Sequence, residues 1–167
     1  MIVSSLLFAK EKHEGQIRIG GKPYISHPVE VARILEEKGF TAANYIITAL
    51  FHDLLEDTDT TEQEIFHYGG ADVLVAVKVL TKHKDYNMET YIQDIKNNPI
   101  AKMVKLSDRL HNLLSADVAN KAFQERYVKE TEQFYLDLAK GTPFEEDIIK
   151  ALNVLKNNLQ NEALSRK

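Results

Sequence analysis

The chain has 167 residues, a formal net charge of −4 and no cysteine. Without cysteine, disulfides and thiolate metal sites are excluded, so any metal ion would be held by His, Asp, Glu or Asn side chains. The acidic balance lacks the basic excess that nonspecific nucleic-acid binding needs, so we expect no nucleic-acid partner. Because the amino terminus has no signal-peptide pattern and no apolar run approaches about 18 residues, we expect a cytoplasmic protein without a membrane partner.

Apolar residues recur at three- and four-residue spacing along most of the chain, which is the period of an α-helix. Only seven glycines and four prolines interrupt this pattern. The length and the 44% hydrophobic composition are sufficient for one core. We therefore predict an all-α fold in a single domain over residues 1–167.

The first half of the chain predicts four helices. The first covers about residues 2–14 and precedes a long loop, "GQIRIGGKPYISHP", that is rich in turn-forming residues. Pro28 opens the second helix, and Gly39 is placed to end it. The third is predicted to run without interruption over about residues 42–55. The fourth starts at one of two overlapping capping boxes in "TDTTEQEIFHYGG" and ends at its two glycines.

The second half predicts five more helices. Two of them are "ADVLVAVKVLTK", whose four valines also fit a strand, and the amphipathic "NMETYIQDIKNN". Pro99 begins a helix that continues through "IAKMVKLSDRLHNLLSA", and a long helix should span about residues 121–139. The last helix follows "TPFEED", with Thr142 as its cap, Pro143 at the first position and Glu145 reaching back. We expect this last helix to pack on the core.

An acidic cluster lies in the third predicted helix, in "LFHDLLEDTDTT" at residues 50–61. His52 and Glu56 are four residues apart, as are Asp53 and Asp57, so each pair should stack on neighbouring turns. One explanation is a helix end with solvated acids and a histidine that contacts carbonyl groups. However, acids near a helix C-terminus oppose the helix dipole, whereas a bound cation would reverse that effect. The segment is therefore a candidate metal site.

Two further segments hold candidate ligands. In "MVKLSDRLHNLL" the polar residues Asp108, Arg109, His111 and Asn112 interrupt an apolar helix, and "PYISHP" contains His27. A carboxylate at the margin of a buried stripe is commonly salt-bridged, and an isolated histidine is commonly an ordinary loop or helix-start residue. Spacing alone therefore leaves both readings open.

Five motifs connect these segments: "HEGQIRIGGKPYISHPVEVA", "ALFHDLLEDTDTT", "VLTK", "KLSDRLHNL" and "ETEQFYLDLA". In this order they resemble the HD-superfamily hydrolase domain of RelA/SpoT-type guanosine tetraphosphate enzymes. The resemblance runs from about His13 to Ala139 and implies an HD-domain helical bundle of about eight to ten helices. Since no synthetase segment follows in this sequence, the expectation is a stand-alone small alarmone hydrolase.

The resemblance also implies a catalytic centre with one divalent metal ion, usually manganese in this family. Glu56 and Asp57 match the family's "ED" pair, which positions or deprotonates the attacking water and handles leaving-group protons. Of these two, Glu56 is the expected base. The implied metal ligands are His27, His52, Asp53 and Asp108.

Substrate-binding residues are likewise implied. Arg18 matches the family arginine that stacks on the purine, and Asn112 matches a residue that contacts the sugar or phosphate region. Lys22 and Lys82 are plausible further cations for the phosphate groups. The expected small-molecule substrate is therefore a nucleotide with several phosphates.

The chain departs from the family at one place. The family often has serine, glycine and glutamate before "PY", whereas this chain has Gly20, Gly21 and Lys22. A base thus replaces an acid beside the expected pocket, and we expect an effect on phosphate affinity or substrate choice. Tyr24 in the same motif is expected to pack the loop.

The expected reaction is metal-dependent hydrolysis of the 3′-pyrophosphate of guanosine 3′,5′-bispyrophosphate (ppGpp or pppGpp), which gives GDP or GTP and pyrophosphate. One alternative keeps the phosphohydrolase chemistry on another nucleotide, such as an adenosine alarmone. Another is a catalytically silent module that senses a nucleotide. The sequence does not indicate an oligomeric state.

Overall fold

The computed structural model describes residues 1–165, and within this range the chain is α-helical with no β-strand. The all-α prediction is confirmed. The helices are α1 (Ile2–Lys12), α2 (Ser26–Glu37), α3 (Ala43–Phe51), α4 (Leu54–Asp57), α5 (Glu62–Gly69), α6 (Ala71–Leu80), α7 (Met88–Asn97), α8 (Pro99–Leu114), α9 (Lys121–Glu130), α10 (Leu136–Ala139) and α11 (Glu145–Ser165).

The first two helices occur near their predicted positions. Helix α2 begins at Ser26, two residues before the predicted start at Pro28, and Gly39 follows its end with a φ of 90°. Between α1 and α2, an isolated β-bridge joins Ile17 to Pro23 and closes the loop on itself. This loop is therefore folded back on itself, which matters because it carries Arg18 and Tyr24.

The prediction of one uninterrupted third helix is wrong. Helix α3 ends at Phe51, and a separate four-residue helix, α4, begins at Leu54. The ring nitrogen Nδ1 of His52 lies 2.6 Å from the carbonyl oxygen of Ala49, the acceptor that a continuing helix would offer to the N–H of Asp53. The break puts His52 and Asp53 in a turn, and it separates them from the acids on α4.

Helix termini in the middle of the chain are capped by side chains. Thr61 and Glu64 form the predicted capping box at the start of α5, while the hydroxyl of Thr60 pairs with that of Thr58 instead.

Both predicted helices of the segment from residue 71 to residue 98 are present, so the valine-rich stretch is a helix. A buried helical environment therefore outweighs the intrinsic strand preference of valine here.

The long helix predicted for residues 121–139 is present but contains a π-helical turn at Thr131–Tyr135. The side chain of Thr131 donates a hydrogen bond of 2.7 Å to the carbonyl oxygen of Tyr127. The ring centres of Tyr127 and Tyr135 lie 4.0 Å and 3.7 Å from the guanidinium carbon of the buried Arg109. The π turn therefore accompanies an arginine enclosed between two tyrosines.

The last helix packs on the core as expected. Ile148, Leu152 and Leu155 are buried, and α11 contacts α8 and α9. The predicted start of this helix is wrong by two residues, because α11 begins at Glu145 and not at Pro143. Glu145 does reach back, but it accepts a hydrogen bond of 2.8 Å from the N–H of Gly141 and not from the predicted cap, Thr142.

Three helices meet at the centre of the molecule, because α2, α3 and α8 all contact one another. His27 lies at the start of α2, His52 directly follows α3, and Asp108 lies within α8. Their packing brings these three positions, distant in sequence, to one place. Within residues 1–165, no helix combines the length and apolar character that crossing a bilayer requires.

Candidate metal centre

Four side chains converge where α2, α3 and α8 meet. The Nε2 atom of His27 is 3.0 Å from Asp108 Oδ1 and 3.8 Å from Asp53 Oδ2. The Nε2 atom of His52 is 3.0 Å from Asp53 Oδ2 and 3.8 Å from Asp108 Oδ1. Ligand atoms about 2.1 Å from one shared ion are separated by about 3.0 to 3.5 Å at right and tetrahedral angles. His27, His52 and Asp53 lie close enough together to hold one metal ion, and Asp108 adjoins both histidines. These four side chains are here called the His/Asp cluster.

The environment of His52 also fits a cation. Its Nε2 atom is buried, makes no well-aligned hydrogen bond and faces the carboxylate of Asp53 at 3.0 Å. Burial lowers the pKa of His52, but the carboxylates of Asp53 and Asp108 outweigh burial and raise this pKa to about 10. In the absence of a metal ion, a proton thus supplies the positive charge. A metal ion would displace that proton and leave Nδ1–H on the carbonyl of Ala49.

His27 is oriented by a second histidine. Its Nδ1 atom lies 2.7 Å from Nδ1 of His111, so Nε2 faces the cluster. Burial lowers the pKa of His27, and burial together with the neighbouring His27 and Arg18 lowers the pKa of His111 to about 4. A neutral His27 that donates from Nδ1 has its Nε2 lone pair free for coordination.

The two carboxylates each have a donor outside the cluster. The hydroxyl of Tyr24 donates to Asp53 Oδ2 at 2.7 Å, and Lys105 Nζ lies 2.8 Å from Asp108 Oδ2. Burial by itself raises the pKa of both acids. The charge of His52 outweighs burial at Asp53, and the charge of Lys105 chiefly does so at Asp108, so both pKa values lie below their usual range. Both carboxylates are therefore ionised and able to bind a cation.

Sequence reasoning missed Lys105 and underestimated Tyr24. Lys105 precedes Asp108 by three residues on α8, a spacing that places both on one helix face and could have indicated the ion pair. The ring centre of Tyr24 lies 4.8 Å from that of His13, in line with the expectation that Tyr24 packs the loop. Its hydroxyl, however, also donates a hydrogen bond to Asp53. The folded loop brings it there, which no local pattern indicates.

Glu56 and Asp57, here called the acidic pair, are exposed on α4 beside the cluster. An Oε2 atom of Glu56 accepts a hydrogen bond of 3.1 Å from the backbone N–H of Lys82. The Tyr24 hydroxyl lies 3.3 Å from Asp57 Oδ2 and so bridges this acid to the cluster. Burial, Asp53 and Glu56 raise the pKa of Asp57. The pair is thus solvent-accessible and electrostatically linked to the cluster.

A pocket of about 230 Å³ adjoins the cluster. Arg18 Nη2 donates to Asn112 Oδ1 at 2.5 Å and to the hydroxyl of Ser115 at 3.2 Å, which fixes the guanidinium plane. Apolar side chains and this cation therefore share one concave surface, which suits a flat polar ligand. The residues that line this Arg18 pocket are Ile17, Arg18, Ile19, Tyr24, Asn112, Ser115, Ala116, Ala119 and Phe123.

The two predicted phosphate-binding lysines lie outside the Arg18 pocket. Lys22 is exposed, and its carbonyl oxygen accepts a hydrogen bond from the N–H of Arg18. The amine of Lys82 lies 5.1 Å and 5.3 Å from the ring centres of Tyr86 and Tyr91. Lys82 adjoins the acidic pair through its backbone, and the roles of both lysines stay predictions.

Several larger pockets lie elsewhere in the described part of the chain. One of about 580 Å³ lies among α2, α8 and α11, and one of about 660 Å³ lies beside α6 and α7. Neither is lined by a cluster residue or by Tyr24 or Asn112, the two residues of the Arg18 pocket that hydrogen-bond to the cluster. Size alone therefore does not indicate the functional site, whereas the converging polar groups do.

Curated proteins of two names are similar to this chain in sequence. The chain is 41% identical over 140 residues to guanosine-3′,5′-bis(diphosphate) 3′-pyrophosphohydrolase of Aquifex aeolicus, covering 79% of this chain and 20% of that protein. It is 35% identical over 150 residues to GTP pyrophosphokinase rsh of Brucella melitensis, covering 83% of this chain and 20% of the relative. The chain thus spans about a fifth of the length of these curated relatives.

A solved structure and a family model also match this chain. The structure, described as a metazoan ortholog of SpoT that hydrolyses ppGpp, superposes with a TM-score of 0.80 at 26% identity, over 91% of this chain and 93% of that chain. A family model described as an HD domain matches residues 5–143. The chain therefore belongs to the HD domain family.

Proposed function

We propose that this chain is a metal-dependent phosphohydrolase that removes the 3′-pyrophosphate of ppGpp or pppGpp and releases GDP or GTP. The observation that carries the proposal is the convergence of two imidazole nitrogens and two carboxylate oxygens at 3.0 to 3.8 Å, beside the Arg18 pocket. The substrate is inferred from the Aquifex aeolicus relative and the metazoan SpoT ortholog, whose names or descriptions specify this nucleotide. The metal requirement accords with the HD domain.

The four side chains of the His/Asp cluster are the proposed ligands of one divalent ion, with manganese as the proposed metal. Two neutral imidazoles and two carboxylates balance the charge of a dication and leave room for water and a phosphate oxygen. When bound, such an ion lowers the pKa of a water molecule and withdraws charge from phosphoryl oxygens. Lys105, Tyr24 and His111 hold the ligand side chains in place through the contacts described above.

Glu56 is the proposed general base. It is exposed beside the cluster, and the backbone N–H of Lys82 orients its carboxylate. An ionised glutamate at this position can accept a proton from an attacking water. Asp57, whose pKa is raised by burial and by the neighbouring acids, is the proposed group for returning a proton to the leaving group.

The Arg18 pocket is the proposed site of the guanine base. Two hydrogen bonds hold the edge of the Arg18 guanidinium, so its face is available for stacking on a purine. Asn112 is the proposed contact to the sugar or phosphate region. Lys22 and Lys82 are the proposed partners of the phosphate groups, because both carry cationic side chains on segments adjoining the site.

The direct test incubates the purified 167-residue chain with ppGpp and MnCl₂, with and without EDTA, and measures pyrophosphate and GDP. The expected result is equimolar release of both products with Mn²⁺ and none with EDTA. Using the chain alone also tests our proposal that residues 1–167 act as a single domain. Turnover of an adenosine alarmone but not ppGpp would favour another substrate, and nucleotide binding without turnover would favour a sensing module.

The lysine assignment has its own test. Lys22→Glu restores the acid typical of the family, and we expect the KM for ppGpp to rise several-fold because a phosphate partner is replaced by a like charge. The matched control is Lys84→Glu, at an exposed position of the loop after α6. An unchanged KM for every nucleotide tried would remove Lys22 from the proposed site.

A further inference from the structure

The Arg18 pocket and the His/Asp cluster are joined by one side chain, that of Asn112. Its Oδ1 atom accepts a hydrogen bond of 2.5 Å from Arg18 Nη2, and its Nδ2 atom donates one of 2.7 Å to Asp108 Oδ1. That oxygen of Asp108 is also the one 3.0 Å from His27 Nε2. An unbroken hydrogen-bond chain therefore leads from the pocket to an oxygen that faces the cluster.

The chemistry of its two neighbours fixes the orientation of the Asn112 amide. A guanidinium group can only donate hydrogen bonds, and an ionised carboxylate can only accept them. The bridging residue must therefore present an acceptor to Arg18 and a donor to Asp108. Asn112 does so from the next helical turn after Asp108, four residues along α8, a spacing that brings the two side chains together.

Hydrogen bonds in a chain strengthen one another, because each polarises the next. A ligand that orders the guanidinium of Arg18 therefore also orders the amide of Asn112 and, through it, the Oδ1 atom of Asp108. In the same way, an ion that fixes Asp108 Oδ1 orders the amide of Asn112 and, through it, the guanidinium of Arg18. Such coupling between two sites is necessarily reciprocal.

We propose that Asn112 is a positioning residue that couples nucleoside binding in the Arg18 pocket to divalent-ion binding at the His/Asp cluster, each increasing the affinity for the other. This inference rests on the proposed function, because it takes the pocket as the nucleoside site and the cluster as the ion site. Its consequence is that the ion is held most tightly when a substrate is present.

The test uses guanosine as the probe, since a nucleoside without phosphates cannot reach the ion through a phosphate oxygen. Isothermal titration calorimetry measures the Kd of Mn²⁺ for the chelator-treated protein, with and without saturating guanosine. We expect guanosine to lower this Kd about five- to tenfold, at the low end of the usual range of coupling between sites. Mn²⁺ should lower the Kd of guanosine by the same factor.

Three variants locate the coupling in Asn112. Asn112→Leu removes both hydrogen bonds at similar volume, and Asn112→Asp keeps an acceptor for Arg18 but loses the donor to Asp108. In both, the Kd of each ligand alone should rise, because Asn112 also contacts Asp108 and the proposed sugar site, but the reciprocal enhancement, measured as the ratio of the Kd values without and with the second ligand, should disappear. Ser115→Ala is the matched control, because it removes the other partner of Arg18 without touching the link to Asp108, so the enhancement should persist.

The outcomes separate this inference from the proposed function. If wild-type protein binds both Mn²⁺ and guanosine but neither changes the affinity for the other, the coupling is overturned and the proposed function stands. Enhancement that survives in folded Asn112→Leu and Asn112→Asp, as judged by thermal melts, overturns the role of Asn112. If wild-type protein binds no Mn²⁺, the proposed function fails, and the coupling fails with it.

Discussion

The His/Asp cluster and the acidic pair are neighbours with contrasting physical settings. His27, His52 and Asp108 are at most 5% exposed, and every cluster residue has a hydrogen-bonding or ionic partner outside the cluster. Glu56 and Asp57 are exposed on the four-residue helix α4. Packing thus holds the groups proposed to bind an ion, whereas the groups proposed to transfer protons stay in contact with solvent. The contrast teaches that a hydrolytic site needs rigidity and proton exchange in different places.

The largest expected effect comes from the buried side of this comparison. In Asp108→Asn, an anionic ligand is lost and Lys105 is left buried without its counter-ion. We expect no detectable turnover, Mn²⁺ affinity lowered at least about 100-fold, and a loss of about 3 kcal/mol in unfolding free energy of the metal-free protein. Product assays, calorimetry and urea unfolding measure these three quantities.

Asp94→Asn is the control for this variant, because Asp94 is exposed on α7. It should change stability by less than about 0.5 kcal/mol and leave Mn²⁺ binding intact. Wild-type Mn²⁺ affinity in Asp108→Asn would remove Asp108 from the proposed ligand set.

The exposed side should show the opposite pattern. Glu56→Gln removes a proton acceptor but no proposed ligand, so we expect kcat to fall about 10²- to 10⁴-fold while the Kd for Mn²⁺ changes less than about twofold. Steady-state kinetics and calorimetry together test this split. Glu89→Gln, at an exposed position on α7, is the control and should keep both values. A parallel loss of kcat and metal affinity would contradict the division between the two regions.

Tyr24 links the two regions, because its hydroxyl contacts both Asp53 and Asp57. Tyr24→Phe keeps the ring beside His13 and removes only this bridge. We expect Mn²⁺ affinity to fall about tenfold, as for other residues that orient a metal ligand, with a smaller change in kcat at saturating Mn²⁺. Tyr86→Phe, at an exposed position, is the control and should leave Mn²⁺ affinity unchanged. If Tyr24→Phe also kept the wild-type Mn²⁺ affinity, the Tyr24 bridge would not be needed for metal binding.

The smallest expected effect is a pH-dependent change at Asp57. Burial and the neighbouring acids raise the pKa of Asp57 in the folded protein, so its ionised form opposes folding at neutral pH. Asp57→Asn should therefore raise the Tm of the metal-free protein at pH 8 by less than about 2 °C. The gain should decline as the pH falls through the raised pKa and vanish below about pH 3, where the carboxyl of Asp57 is protonated in both folded and unfolded chains. Thermal melts across this range measure it, and a gain that did not depend on pH would contradict the charge explanation.

Much of the fold could be predicted locally. Helical periodicity, the capping box at Thr61 and Glu64, and the position of Gly39 each depend on a few consecutive residues, and all are observed. The break between α3 and α4 was not predicted, because the run of leucines continues across it. The side chain of His52, through its contact with the carbonyl of Ala49, accompanies the interruption.

Motif resemblance named the members of the candidate site, but not their supports. Lys105 lies three residues before Asp108 on the same helix, but Tyr24 and His111 contact the cluster through packing between segments far apart in sequence. The capping contacts of a helix lie within one turn, whereas these contacts require the loop, α2 and α8 to be assembled. Their partners could not be assigned from spacing along a single segment.

The sequence by itself determined the helical class and the chemical types available for a site: imidazoles, carboxylates and no thiols. Those properties follow from side-chain chemistry and periodicity, which are local. Only the tertiary structure decided that the ring of His27 and the carboxylate of Asp108 lie 3.0 Å apart, and that Asn112 joins them to Arg18. Such distances depend on how α2, α3 and α8 pack, because the buried surfaces of all three helices must fit together at once.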